Sequence, residues 1–176
     1  TLSRQRPPGS PQSAVDVMTA LGWDPPGSPE NLADRWAQEL DRHGVKRAAL
    51  IASIPGDEGS VGRAVARHPS RFVGFFMLDP TAPDSASRAE HALHGLGLRC
   101  LCLFPAMQRY SLHDPRVAEI VDIAAKHAGT AVFVHCGALS VGVRRRLGLA
   151  SRFGVSCGGP LDVQALRLRV GDGDDL

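Results

Sequence analysis

The sequence has little of the excess charge or the long apolar runs that mark two large classes of protein. Its formal net charge is only +2 over 176 residues, whereas nucleic-acid-binding proteins usually carry a clustered basic face. No apolar run approaches the about 20 residues of a membrane-spanning helix, and the first residues contain no apolar signal core. We therefore expect no nucleic-acid partner, no membrane partner and a cytoplasmic location.

Cysteine is also sparse, which argues against a disulfide-stabilised fold. The four cysteines do not form a dense framework, and without a secretory signal they are expected to be reduced thiols. The 43% hydrophobic content of the chain is enough for one core of ordinary size, so a single domain is the default. The cysteines are Cys100, Cys102, Cys136 and Cys157.

Apolar strand-like segments alternate with helical segments along most of the chain. Such alternation is typical of right-handed βαβ units and a parallel sheet. The clearest helix is predicted from Asp114 and Pro115 onwards, where apolar residues recur on one face. Strands are predicted over residues 45–54, 71–78, 98–104 and 130–137, and helices over 28–44, 57–68, 84–96 and 115–128.

The last of these strands ends on the best candidate for a functional residue. Residues 130–137 read TAVFVHCG, a continuously apolar run that predicts a parallel strand buried on both faces. His135 stands at its carboxyl end, and in parallel α/β folds ligands and chemistry gather at that end. A hydrogen-bonded core histidine is the structural alternative.

The order of the segments resembles the metal-dependent amidohydrolase superfamily, in its branch of amidohydrolase-related hydrolases and nonoxidative decarboxylases on a (β/α)8 barrel. The resemblance covers about residues 44–160, or two thirds of the chain. It rests on GVKRA (44–48), RFVGF (71–75), LDP (78–80), GLR (97–99) and VFVHCG (132–137).

The resemblance implies a partial TIM barrel that consists of strands two to five. A complete barrel takes about 250 residues, so the first strand and the last three would be absent or unrecognisable. We expect a proline- and glycine-rich arm over residues 1–28, the partial barrel over 29–160 and an irregular tail over 161–176. Such a half-barrel has two open strand edges, which predicts self-association.

The resemblance also implies that His135 is the metal ligand at the end of the fifth barrel strand. The metal would be a divalent cation, most often zinc, that serves C–N or C–C bond cleavage in a small-molecule substrate. The other ligands of the family are missing: there is no His-x-His pair, no histidine follows His135, and Cys102 stands where a bridging lysine is common. We therefore predict an incomplete or inactive member of the family.

Three other interpretations remain open. The chain is alternatively a noncatalytic interaction module that pairs through an open barrel edge. His135 and Cys136 are adjacent and could form a thiol nucleophile, although strand alternation would turn Cys136 towards the helices. Cys102 beside His135 could form an incomplete soft-metal site, although small thiols also fill cores.

Polar residues elsewhere are weaker candidates. Asp79 and Ser53 stand at other predicted strand ends, and Asp79 before Pro80 is explained equally well as a turn former. His91 and His94 have a helical spacing that can hold a metal, although such pairs are usually surface residues.

Overall fold

The computed structural model describes residues 14–22 and 24–136, which form a four-stranded parallel sheet with helices between the strands. The strands lie side by side in chain order, and each neighbouring pair is parallel. The α/β class and the four predicted parallel strands are thereby confirmed. The strands are β1 (Ala48–Ala52), β2 (Phe72–Met77), β3 (Cys100–Leu103) and β4 (Ala131–Val134).

Helices precede β1 and occupy every connection between strands. The helix predicted over 84–96 is divided, because after Glu90 the chain continues as a π-helical turn, His91–Gly95. A four-residue helix at 105–108 lies where the sequence predicted a loop. The helices are α1 (Ala14–Ala20), α2 (Pro29–Arg42), α3 (Glu58–Arg67), α4 (Ser85–Glu90), α5 (Pro105–Gln108) and α6 (Pro115–Ala125).

Side-chain caps fix where α2 and α6 begin. The Ser28 hydroxyl accepts a hydrogen bond from the backbone N–H of Asn31 at 3.2 Å, and the Asp114 carboxylate accepts one from the N–H of Arg116 at 3.0 Å. In both helices the next residue is a proline, which has no N–H to leave unpaired at this position. Gly44 follows α2 with a φ of +65°, a conformation that ends a helix at little cost for glycine.

The two sides of the sheet are packed differently. The side that contacts α3, α4 and α6, here called the helix-facing side, carries the main core. The opposite side, which would face the axis of a barrel and is here called the axis-facing side, carries a smaller cluster of Met77, Cys100 and Cys102. The main core includes Phe76, Leu78, Leu101, Leu103, Val117 and Ile120.

The expectation that β4 is buried on both faces is wrong. β4 is an edge strand of the described sheet, and its Phe133 side chain is 48% exposed on the axis-facing side. Only Val132 and Val134 pack against the main core. An apolar run predicts a strand, but whether both of its faces are covered depends on neighbouring elements that the run does not specify.

Some predictions lie outside the described residues. They concern the arm before residue 14, the part of the predicted barrel after residue 136 and the irregular tail over 161–176. The boundaries of the predicted domains are likewise untested. Among the described helices none is long and apolar enough to cross a membrane.

Candidate functional site

The candidate site lies at the carboxyl ends of the four strands. Ser53 directly follows β1, Phe104 follows β3 and His135 follows β4, while Asp79 stands two residues beyond β2. Since the strands are parallel and adjacent, these four residues share one end of the sheet. This is the end at which parallel α/β folds bind their ligands.

His135 belongs to the axis-facing side of the sheet. Its backbone N–H donates to the carbonyl oxygen of Leu103 at 2.9 Å, so the hydrogen bonding between β3 and β4 continues as far as His135. Its ring stacks on Phe104 with 5.2 Å between centroids and 16° between planes. Because Phe104 packs against Cys100 and Cys102, the stacked imidazole lies on the same side as those thiols.

The Asp79 carboxylate forms hydrogen bonds within the turn that follows β2. Its Oδ1 accepts hydrogen bonds from the backbone N–H of Thr81 at 2.9 Å and from the Thr81 hydroxyl at 2.7 Å. The turn-forming interpretation of Asp79 is thereby confirmed. The negative charge of Asp79 also acts on the neighbouring Tyr110.

Tyr110 is a residue of this region that sequence reasoning missed. Its side chain is only 5% exposed, and its hydroxyl lies near the backbone of Phe104 without a hydrogen bond of normal geometry. Burial raises the pKa of Tyr110, and the nearby charge of Asp79 raises it further. The phenol is therefore neutral and can act only as a proton-bearing donor or acceptor.

An arginine connects α6 to the turn beside Asp79. Arg116 makes a two-pronged contact with Asp114, with Nε to Oδ1 at 2.9 Å and Nη2 to Oδ2 at 2.7 Å. Its Nη1 donates to the carbonyl oxygen of Thr81 at 3.1 Å. The hydrogen bonds from the Arg116 side chain and backbone lower the pKa of Asp114 to about 2. Arg116 therefore holds the β2 turn and the start of α6 together.

A buried ion pair at the same end of the sheet was also missed. Glu58 at the start of α3 pairs with Arg88 of α4, and both side chains are largely buried. The Glu58 carboxylate also accepts a hydrogen bond from the N–H of Gly56 at 3.4 Å. The two charges stand 30 positions apart in sequence, and no local pattern could have paired them.

The described structure does not form the cysteine–histidine nucleophile. The Cys136 thiol is exposed and donates to the carbonyl oxygen of Val134 at 3.7 Å, so it is directed back along its own strand. The three cysteines of the described region, Cys100, Cys102 and Cys136, are free thiols.

His91 and His94 lie on the π-helical turn rather than on the regular helix that their spacing suggested. The His94 ring lies 6.1 Å from the ring of His127, whose Nε2 is 2.5 Å from a carboxylate oxygen of Glu90. His127 therefore has a hydrogen-bonding partner on α4, and this contact connects α4 with the end of α6.

The residues present do not make up the metal centre that the resemblance implies. Within residues 14–22 and 24–136 no three side chains of histidine, cysteine, aspartate or glutamate are grouped so that they could hold a metal ion. His135 supplies one imidazole, and its ring neighbour is Phe104. A catalytic zinc needs three protein ligands, so His135 alone does not fit the group.

Comparisons with known proteins identify the fold. The structure of 5-carboxyvanillate decarboxylase LigW from Sphingomonas paucimobilis matches with a TM-score of 0.52 at 20% sequence identity. The match covers 92% of this chain and 50% of that chain. No family model and no curated protein matches the sequence. The chain thus spans about half the length of the decarboxylase and has the fold of part of a (β/α)8 barrel.

Proposed function

We propose that the chain is an incomplete amidohydrolase-type enzyme, with His135 as its contribution to a divalent metal centre. The centre would cleave a C–C or C–N bond of a small-molecule substrate only when another polypeptide segment supplies the missing ligands. The described residues contain no complete ligand set, so we expect the chain to be inactive by itself. A cytoplasmic location remains a prediction from the sequence.

The position of His135 carries this proposal. The residue lies at the carboxyl end of β4, on the axis-facing side, in a fold that matches half of a decarboxylase. The catalytic residues of such barrels come from the ends of several strands. The ring stacks on Phe104, and a packed supporting residue of this kind is what helps hold a metal-binding side chain in place.

Zinc titration in competition with a coloured chelator tests the proposal. We expect weak zinc binding by the wild-type chain and at least about a tenfold loss in His135→Ala, since even outer-shell changes cost this much in metal sites. His43→Ala is the matched control, because His43 is an exposed histidine just beyond α2 and precedes the amino end of β1, whereas His135 follows the carboxyl end of β4. Equal zinc affinity in the wild type and His135→Ala would show that His135 is not a ligand.

A second candidate function is a noncatalytic interaction module that pairs with another copy of the chain. It is favoured by the edges of the described sheet, where β1 and β4 each have a strand neighbour on one side only. Large apolar side chains are about half exposed beside both edges, Ile51 on β1 and Phe133 on β4. Unpaired edges next to apolar surface commonly mediate association.

Sedimentation velocity over a range of chain concentrations tests this candidate. We expect dimers of the wild-type chain that Phe133→Asp converts to monomers, because a charge at a dry contact is costly. Leu21→Asp is the control, since Leu21 is an exposed apolar residue after α1. A wild-type chain that stays monomeric at every concentration would exclude self-association.

A further inference from the structure

Three sulfur-bearing side chains form a single buried cluster on the axis-facing side. Cys100 and Cys102 lie two residues apart on β3, so both point to the same side of the sheet. Met77 on β2 is directly opposite Cys102 in the strand register. The three side chains are 5%, 3% and 1% exposed for Met77, Cys100 and Cys102 respectively.

Both thiols belong to this cluster, and the Cys100 thiol lies 3.9 Å from the backbone carbonyl oxygen of Leu101.

Thiolate and thioether sulfur together select soft metal ions. Cys and Met ligands favour Cu(I), whereas Mg²⁺, Ca²⁺ and Mn²⁺ prefer oxygen ligands. Structural zinc almost always takes four ligands in a tetrahedron, and the described cluster offers three sulfurs. Three sulfur ligands in an apolar surrounding of Phe75 and Phe104 suit a three-coordinate monovalent ion.

We propose that Met77, Cys100 and Cys102 form a binding site for one Cu(I) ion on the axis-facing side of the sheet. On binding, the two thiols release their protons to solvent, the ion keeps its oxidation state, and sulfur from each residue bonds the metal. The site adjoins the strand-end region of His135, since Cys102 is paired with Phe133, two residues before His135, but its three sulfur ligands do not include His135. It does not depend on the proposed metal centre.

Anaerobic Cu(I) titration of the reduced full chain against a coloured Cu(I) chelator tests the proposal. The starting protein carries Cys136→Ser and Cys157→Ser, so that Cys100 and Cys102 are its only thiols. We expect one Cu(I) per chain. Adding Cys102→Ala should lower the affinity by more than the about 10–100-fold that loss of an outer-shell partner costs, and Met77→Leu should lower it by about tenfold.

X-ray absorption at the copper edge counts the atoms bonded to copper, and in the starting protein it does so without any substitution in the sulfur cluster. We expect sulfur neighbours only, three in number, with the count falling to two in Met77→Leu. Far-UV circular dichroism checks that each variant is folded. No Cu(I) taken from the chelator, nitrogen or oxygen neighbours at the copper, or an unchanged affinity in folded Cys102→Ala would each overturn the proposal.

Discussion

The two sides of the sheet differ in how deeply their large side chains are buried. On the helix-facing side, Phe76, Leu101 and Leu103 are completely buried beneath α3, α4 and α6. On the axis-facing side, the large side chains nearest the edges, Ile51 and Phe133, are about half exposed. A complete barrel buries both sides, because layers of side chains fill its interior. The described residues thus hold together mainly through the helix-facing side, while the edges of the axis-facing side, beside the buried cluster of Met77, Cys100 and Cys102, are left available to a ligand or partner.

The strongest test of this difference compares two phenylalanines on opposite sides of the sheet. Phe76→Ala should lower the free energy of unfolding by about 3–5 kcal/mol, because it leaves a cavity in the main core. Phe133→Ala should cost about 1 kcal/mol or less, because half of that side chain is already in water. Urea unfolding followed by circular dichroism, at a concentration where the chain is monomeric, measures both.

Similar losses for the two substitutions would contradict the comparison. That result would mean that the axis-facing side is as tightly packed as the helix-facing side in the isolated chain. The loss at Phe133 should grow with chain concentration if self-association covers this side chain, and this dependence separates the two candidate functions.

A glycine in β2 provides an intermediate test of how closely the helix-facing side is packed. A Cβ at Gly74 would collide with the Leu98 side chain and would lie 3.2 Å from the methyl groups of Val61 and Val65. We expect Gly74→Ala to lower the free energy of unfolding by about 1–3 kcal/mol through overpacking. A neutral effect in thermal or urea unfolding would show that this layer has room to adjust.

The control for Gly74 is a glycine in a helix with open space around it. A Cβ at Gly59 in α3 would meet only the end of the Arg63 side chain, at 3.7 Å. Gly59→Ala should therefore raise the free energy of unfolding by about 0.5–1 kcal/mol, the usual gain in helix propensity. The opposite signs at the two positions would locate the tight packing around Gly74, between β2, α3 and Leu98.

Much of the fold follows from local signals in the sequence. Ser28 with Pro29 and Asp114 with Pro115 predict where two helices begin, and both cap hydrogen bonds are present. The alternation of apolar runs with helices predicts the parallel sheet. The divided helix at His91 escaped prediction, because a π-helical turn depends on tertiary packing as well as on local residues.

The candidate site was predictable only in part, because its contacts join distant parts of the chain. The strand-end position of His135 could be predicted from the apolar run before it. Its stack on Phe104 could not, since it requires the register between β3 and β4. The Met77 and Cys102 pair depends on register in the same way, and the Glu58–Arg88 pair on how α3 packs beside α4.

The smallest expected effect concerns the charge of Asp114, which lies at the start of α6 and not in the apolar core. Hydrogen bonds from Arg116 lower the pKa of Asp114 from 3.8 to about 2. Because the Asp114 carboxyl binds a proton less tightly in the folded chain than in the unfolded chain, its charge stabilises the folded chain fully above about pH 4. This stabilisation is lost as the pH falls towards 2.

In Asp114→Asn the side chain can still accept the cap hydrogen bond, but the negative charge is gone. The variant should be slightly less stable than wild type at neutral pH, and the difference should vanish by about pH 2. Thermal unfolding from pH 7 to pH 2 measures this, with Asp84→Asn as control because Asp84 precedes α4 without a side-chain cap hydrogen bond. If the stability difference between wild type and Asp114→Asn is the same at every pH, the loss comes from the altered cap and not from the charge. If the difference is as large as that caused by Phe76→Ala, this charge stabilises the chain as much as the apolar core of the helix-facing side does.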